Sequence, residues 1–194
     1  MKMKRLTVLI LTAAVFLAGC SSQRVAVRKD YDFSKIKRVA IIGFSSHMDF
    51  KNSGDVVADE FVLQLMKKGY KVVERSKINA ILSEQQLAQA NKLDEVTIKK
   101  VGKILGVDAI FTGSVIKYVE DKNVVVYYND KDGNPTSQSR LQQAEISVSA
   151  RLFDVETGEV IWSGSDRDSG LEVSDAIYGV ANSLVGSIKN EAAR

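Results

Sequence analysis

Cysteine, histidine, proline and tryptophan each occur once in these 194 residues. One Cys excludes a disulfide framework, and one Cys with one His excludes a His/Cys metal cluster. No excess of charge marks the body of the chain either. The formal net charge of +3 is carried by Lys2, Lys4 and Arg5, and no acidic residue precedes Asp30. Beyond residue 19 acidic and basic side chains balance, so the composition points to no nucleic-acid partner. What is present is a 45% hydrophobic content in a length that suits one domain with a real core. A disordered chain is excluded on the same ground.

Residues 1–5 form a short cationic segment, and residues 6–18 are apolar apart from Thr7 and Thr12. Such a run is too short to cross ~30 Å of hydrocarbon as a helix, but it fits the h-region of a secretory signal. Leu17, Ala18 and Gly19 then precede Cys20, a tetrapeptide that resembles the bacterial lipobox. The resemblance implies cleavage after a signal peptide of residues 1–19. It also implies a diacylglycerol on the Cys20 thiol and an N-acyl chain such as palmitate. At ~0.8 kcal/mol per buried CH₂, several chains hold a protein on a membrane almost permanently. Ser21 follows, not the Asp that resembles an inner-membrane retention signal, so the periplasmic face of the outer membrane is the expected location.

Residues 20–35 read as the lipidated Cys and a polar tether, and residues 36–194 as a single periplasmic domain. The β-branched run 36–44 predicts a buried strand, and 45–54 a polar loop. Val57, Phe61 and Leu65 share one face of a helix that ends at Gly69. A short strand over 70–73 precedes a helix capped by Ser76, with Ile78, Ile81 and Leu82 on one face. Asp94 starts a third helix, which Gly106 stops. The period then changes to two. Strands are expected over 107–118, 124–128, 144–152 and 159–163, with a loop at 130–139 around Gly133 and the only Pro. Helical spacing returns over 174–193. The order β-α-β-α-α-β-β-β-β-α predicts an α/β (α+β) fold, a mixed sheet with covering helices.

No chemical motif is complete. Gly43-Phe44-Ser45-Ser46-His47 opens like a nucleophile elbow but lacks its last Gly, and nothing orients His47 as a base. The segment 99–103 lacks the spacing of a phosphate loop. Asp130-Lys131-Asp132-Gly133-Asn134 opens like an EF-hand loop, yet Pro135 and Leu141 stand where that loop needs Gly and Glu. Asp166 and Asp168 read as a solvated strand end, and Trp162 as core. No enzyme, cofactor or metal site is expected. Met48 and Phe50 interrupt the polar loop after the first strand, which makes them the candidate partner-binding residues.

The middle of the chain carries a resemblance. Glu74-Arg75 with Ile78, Ile81, Leu82 and Glu84-Gln85 resembles a motif of the curli production assembly/transport (CsgG/HfaB-like) lipoprotein family. So do Gly106-Val107-Asp108-Ala109-Ile110 with Thr112-Gly113-Ser114-Val115, and Arg151-Leu152-Phe153-Asp154 with Thr157-Gly158-Glu159-Val160. The resemblance implies a non-catalytic binding or assembly module serving outer-membrane secretion or envelope assembly. Its implied partners are the outer membrane, through the lipid, a periplasmic or outer-membrane protein, and further copies of itself. The exporters of that family insert membrane-crossing hairpins after the central strand and after the terminal hairpin; the polar segments at both places here predict no pore. Residues 157–164 are also similar to the end of the lipoprotein activators of penicillin-binding proteins. This makes regulation of a peptidoglycan synthase the alternative. Those activators carry long Pro-rich tethers, whereas 15 residues here reach at most ~50 Å.

Overall fold

The computed structural model describes residues 23–73 and 95–192, with side chains to residue 188. The strands are β1 (Arg24–Val27), β2 (Arg38–Ser45), β3 (Lys71–Val73), β4 (Ala109–Val119), β5 (Lys122–Asn129), β6 (Pro135–Gln142), β7 (Ala144–Asp154) and β8 (Val160–Gly170). The helices are α1 (Ser53–Lys67), α2 (Glu95–Leu105) and α3 (Val173–Ala192), with a 3-10 turn at Phe33–Lys35. Six strands make one mixed sheet in the order β1-β8-β7-β4-β2-β3, and β5 and β6 pair separately. β2 runs parallel to β3 and β4, and the β4-β7-β8-β1 pairs are antiparallel.

The expected α/β architecture is present. α1 and α3 cover one face of the sheet, burying Val57, Phe61 and Leu65 from α1 and Val180, Leu184 and Ile188 from α3. Under them runs a row of rings: Phe44 on Phe61 at 4.8 Å, Phe61 on Phe111 at 5.3 Å, and Phe111 on Trp162 at 5.8 Å. Trp162 is core, as expected, and its Nε1–H donates to Ser187 Oγ at 3.1 Å. α2 packs on the opposite face, where Ile98, Val101 and Leu105 meet Ile110, Phe153 and Val155. Gly102 fits there because a Cβ would lie 2.2 Å from a methyl of Val155.

Three expectations need correction. The tether does not extend to residue 35: Arg24–Val27 pairs with Trp162–Ser165 as the edge strand, and Val25 and Val27 pack on the core. Four residues are too few to show a convincing period, so pairing with β8 decides the matter. The loop at 130–139 is a tight turn followed by β6, which is polar on both faces and held by its ladder with β5. β8 continues to Gly170, well past residue 163, because its polar side chains have places on both faces. The helix expected after Ser76 lies outside the described residues.

One buried polar contact ties the first described segment to the sheet. Tyr31 donates its hydroxyl to the carboxylate of Asp154, whose other oxygen accepts the Thr157 N–H at 2.6 Å and closes the β7–β8 turn. Burial works against charge on Asp154, but the Tyr31 and Thr157 hydrogen bonds outweigh it and hold the carboxyl below its ordinary value. Its contribution to stability is therefore complete above the unfolded value of ~3.9 and fades as pH falls through the lower folded value. Tyr31→Phe should cost about 1.5 kcal/mol near neutral pH. It should also flatten the loss of stability in acid, as urea unfolding measured from pH 6 to pH 3 would show.

Candidate interaction surface

The loop between β2 and α1 is built as a clamp. Ser46 Oγ donates to the Lys51 carbonyl at 2.6 Å and accepts the Gly54 N–H at 3.0 Å. His47 donates its N–H to Ser53 Oγ at 2.9 Å, and the Phe50 N–H returns to the His47 carbonyl at 3.0 Å. Gly54 is required at the start of α1, since a Cβ would sit 2.1 Å from the Phe44 carbonyl oxygen. His47 Nδ1 accepts the Asp49 N–H at 3.3 Å, which spends that nitrogen inside the loop.

The clamp separates the two predicted residues. Phe50 turns inward and packs its ring on Tyr118 at 4.8 Å, joining the edge of the core. Met48 is left at the loop tip, 86% exposed. Phe50→Ala should then lower Tm by roughly 4–8 °C, about half the loss of a fully buried Phe. Met48→Ala should leave Tm within about 1 °C, as its side chain has little folded-state contact to lose. Thermal melts of the two variants check both values.

On the sheet face away from α1 and α3, small hydroxyls align across strands: Ser114 faces Ser149, which faces Ser165. At the end of this face Glu145 takes Lys117 on one oxygen and Arg167 on the other, the latter at 3.2 Å. These hydrogen bonds, led by Lys117, hold the Glu145 carboxyl below its ordinary value. The solvated strand end expected from sequence holds for Asp168, which is exposed, but not for Asp166. Asp166 is buried, and the Asp168 carboxylate lies against Gly179 of α3, where no Cβ intervenes. In the 130–134 turn the Asp130 carboxylate accepts the N–H groups of Asp132 and Asn134 at 2.9 and 2.8 Å. Those bonds close a turn. No group of three His, Cys, Asp or Glu suited to a metal ion occurs among the described residues.

The surface that sequence reading passed over is the β5–β6 hairpin. It stands apart from the sheet and exposes Val125, Tyr127, Tyr128 and Leu141, with Tyr127 81% exposed. The run Val-Val-Val-Tyr-Tyr over 124–128 carries no alternation, which reads as a strand apolar on both sides. That strand is exposed rather than buried. Leu17, Ala18, Gly19 and Cys20 lie outside the described residues.

Comparison with known proteins places this geometry. The family described as curli production assembly/transport component CsgG matches residues 18–193. No match was found among curated proteins. Among solved structures, the chain is similar to a PelC dodecamer from Paraburkholderia phytofirmans, with 15% identity over 87% of this chain and 94% of that one and a TM-score of 0.50. It is similar to lipoprotein GNA1162 from Neisseria meningitidis, with 19% identity over 81% and 98% of the two chains and a TM-score of 0.53. A further likeness is to the LpoB C-terminal domain from Salmonella enterica, with 9% identity over 81% and 90% and a TM-score of 0.47. The structural likenesses concern the fold; the family match begins at Ala18, two residues before Cys20, and runs to residue 193. On that match the chain belongs to the family of the curli production assembly/transport component CsgG.

Proposed function

We propose that this protein is a lipid-anchored, non-catalytic assembly module at the periplasmic face of the outer membrane, working as a homo-oligomer in secretion or envelope assembly. The observation that carries the reading is the family match across residues 18–193, which takes in Cys20 as well as the folded domain. The names of the two fold relatives, a dodecamer and a lipoprotein, agree with it. In this reading Leu17, Ala18 and Gly19 direct cleavage, Cys20 carries the lipid, and Met48 at the loop tip touches a partner.

The position of β1 sharpens the geometry. Only four residue steps separate Cys20 from Arg24, which at ~3.6 Å each allows about 14 Å. The sheet edge therefore lies within about 14 Å of the acylated residue, which favours a partner at the outer membrane over one anchored in the inner membrane. The hairpin does not make the module a pore. Strands of eight residues span ~26 Å along their length and rise only about 20 Å when tilted ~40°, short of the ~25 Å apolar band. Lys122 and Arg140 break one face, and Asn123, Ser137 and Ser139 break the other.

Crosslinking in intact cells followed by mass spectrometry of the captured partners tests the reading. Copies of the chain and outer-membrane secretion or assembly components are expected. Recovery of a peptidoglycan synthase as the main partner would favour the activator alternative and overturn the secretion assignment.

A further inference from the structure

A hairpin that covers no core is marginal in water, so β5–β6 needs a partner surface to hold its shape. Its two strands differ in kind. β6 is polar on both faces and opens with Pro135, while β5 carries Val124, Val125, Val126, Tyr127 and Tyr128 in succession. The ladder fixes which backbone groups are free. Asp130 donates its N–H to the Asn134 carbonyl at 2.9 Å, in the same register as the Lys122–Gln142 to Asn129–Pro135 pairs. By the alternation of antiparallel ladders, the even-numbered residues of β5 point their N–H and C=O at β6. Asn123, Val125, Tyr127 and Asn129 point theirs outward. Pro135 lies opposite Asn129, so the outer edge of β6 lacks a donor that the outer edge of β5 keeps.

We propose that β5 is a self-pairing edge: two copies of the chain join β5 to β5, antiparallel, about a two-fold axis through Val126. The sequence of β5 and the turn residue that follows it, Lys-Asn-Val-Val-Val-Tyr-Tyr-Asn-Asp, complements itself when reversed. Val126 meets the partner's Val126, Val125 the partner's Tyr127, and Val124 the partner's Tyr128. Asn123 meets the partner's Asn129, and Lys122 the partner's Asp130. The outward residues Asn123, Val125, Tyr127 and Asn129 exchange backbone hydrogen bonds. The even residues fall at the closely spaced sites where side chains touch, which gives β-branched–aromatic and cation–anion pairs. The Asp130 carboxylate is available for this, since the Asn134 and Asp132 N–H groups keep it ionised. No other register works as well. A slip of one residue sets outward groups against inward ones. A slip of two puts Asp130 beside the partner's Val124 or Lys122 beside the partner's Tyr128.

This inference rests on the homo-oligomer reading above and names its contact. The full chain, expressed with single added cysteines and oxidised in intact cells, tests it against the unsubstituted chain. A two-fold axis through residue 126 brings two Val126→Cys copies within disulfide range, a Cα separation of ~4.4–6.8 Å. Val126→Cys should therefore form a crosslinked dimer by itself. Val124→Cys should crosslink only when co-expressed with Tyr128→Cys, and Ser139→Cys on β6 should not self-crosslink. Adding Tyr127→Pro removes an outward N–H and leaves the β5–β6 ladder intact, so it should cut the Val126→Cys dimer by about tenfold or more. Thermal melts that match the unsubstituted chain exclude a loss of fold as the cause, and Val125→Lys serves as the second edge variant with the same expected loss. If Val126→Cys crosslinks with Gln138→Cys and not with itself, pairing is head-to-tail and the two-fold edge is wrong. If the unsubstituted chain is oligomeric but Val126→Cys never self-crosslinks, the edge inference fails and the oligomer reading stands. A monomeric chain overturns both.

Discussion

Cys20→Ser should remove the protein from the outer membrane altogether. A cationic segment, an apolar h-region and Leu17-Ala18-Gly19 all converge on that one thiol. Three acyl chains at ~0.8 kcal/mol per buried CH₂ contribute on the order of tens of kcal/mol to membrane attachment. No helix among the described residues is long and apolar enough to cross a membrane in their place. Serine keeps the size of the side chain but cannot form the thioether. The expected products are an unprocessed precursor or a soluble protein, and palmitate labelling should fall to background. Fractionation that still finds the variant in the outer membrane would refute the anchor.

Trp162→Ala should produce the largest loss of stability among single core changes. Trp162 is fully buried, ends the ring row through Phe111, and lies over Gly164 and Leu184. Its removal leaves a cavity between β8 and α3 and takes the indole donor from Ser187. Truncation of a core Trp costs about 3–5 kcal/mol, a large part of the ~5–15 kcal/mol that holds a domain. For a domain of this size Tm should drop by roughly 6–20 °C. Trp162→Phe keeps a ring against Phe111 but loses the hydrogen bond and part of the volume, so it should lose less than half as much. Thermal melts followed by circular dichroism separate the two.

The elements legible in the sequence are those whose own side chains announce the period. β2 is a continuous β-branched run, β7 alternates cleanly from Ala144 to Leu152, and the faces of α1 and α3 repeat at helical spacing. β1, β6 and the second half of β8 escaped because nothing in their own composition marks a buried face. Their place is set by the neighbouring strand, and ladder hydrogen bonds have no signature in one sequence. The same limit applies to the surface. Phe50 and Met48 stood out as apolar residues in a polar loop, but only the fold shows that Tyr118 takes Phe50 and leaves Met48 outside. Asp166 read as solvent-facing because a charged residue in a polar run carries no sign of burial in its own sequence. The apolar run of β5 was visible from the start. That it faces solvent on both sides follows only from the separation of the hairpin from the sheet.

The most direct test of the central claim is the mass of the protein as it exists in the membrane. The lipidated chain, extracted in mild detergent and examined by sedimentation velocity, should run as one discrete assembly of two or more copies of the processed chain, each lighter than the 21.3 kDa of the full sequence. A single-copy species at micromolar concentration, with native melting behaviour, would contradict the account.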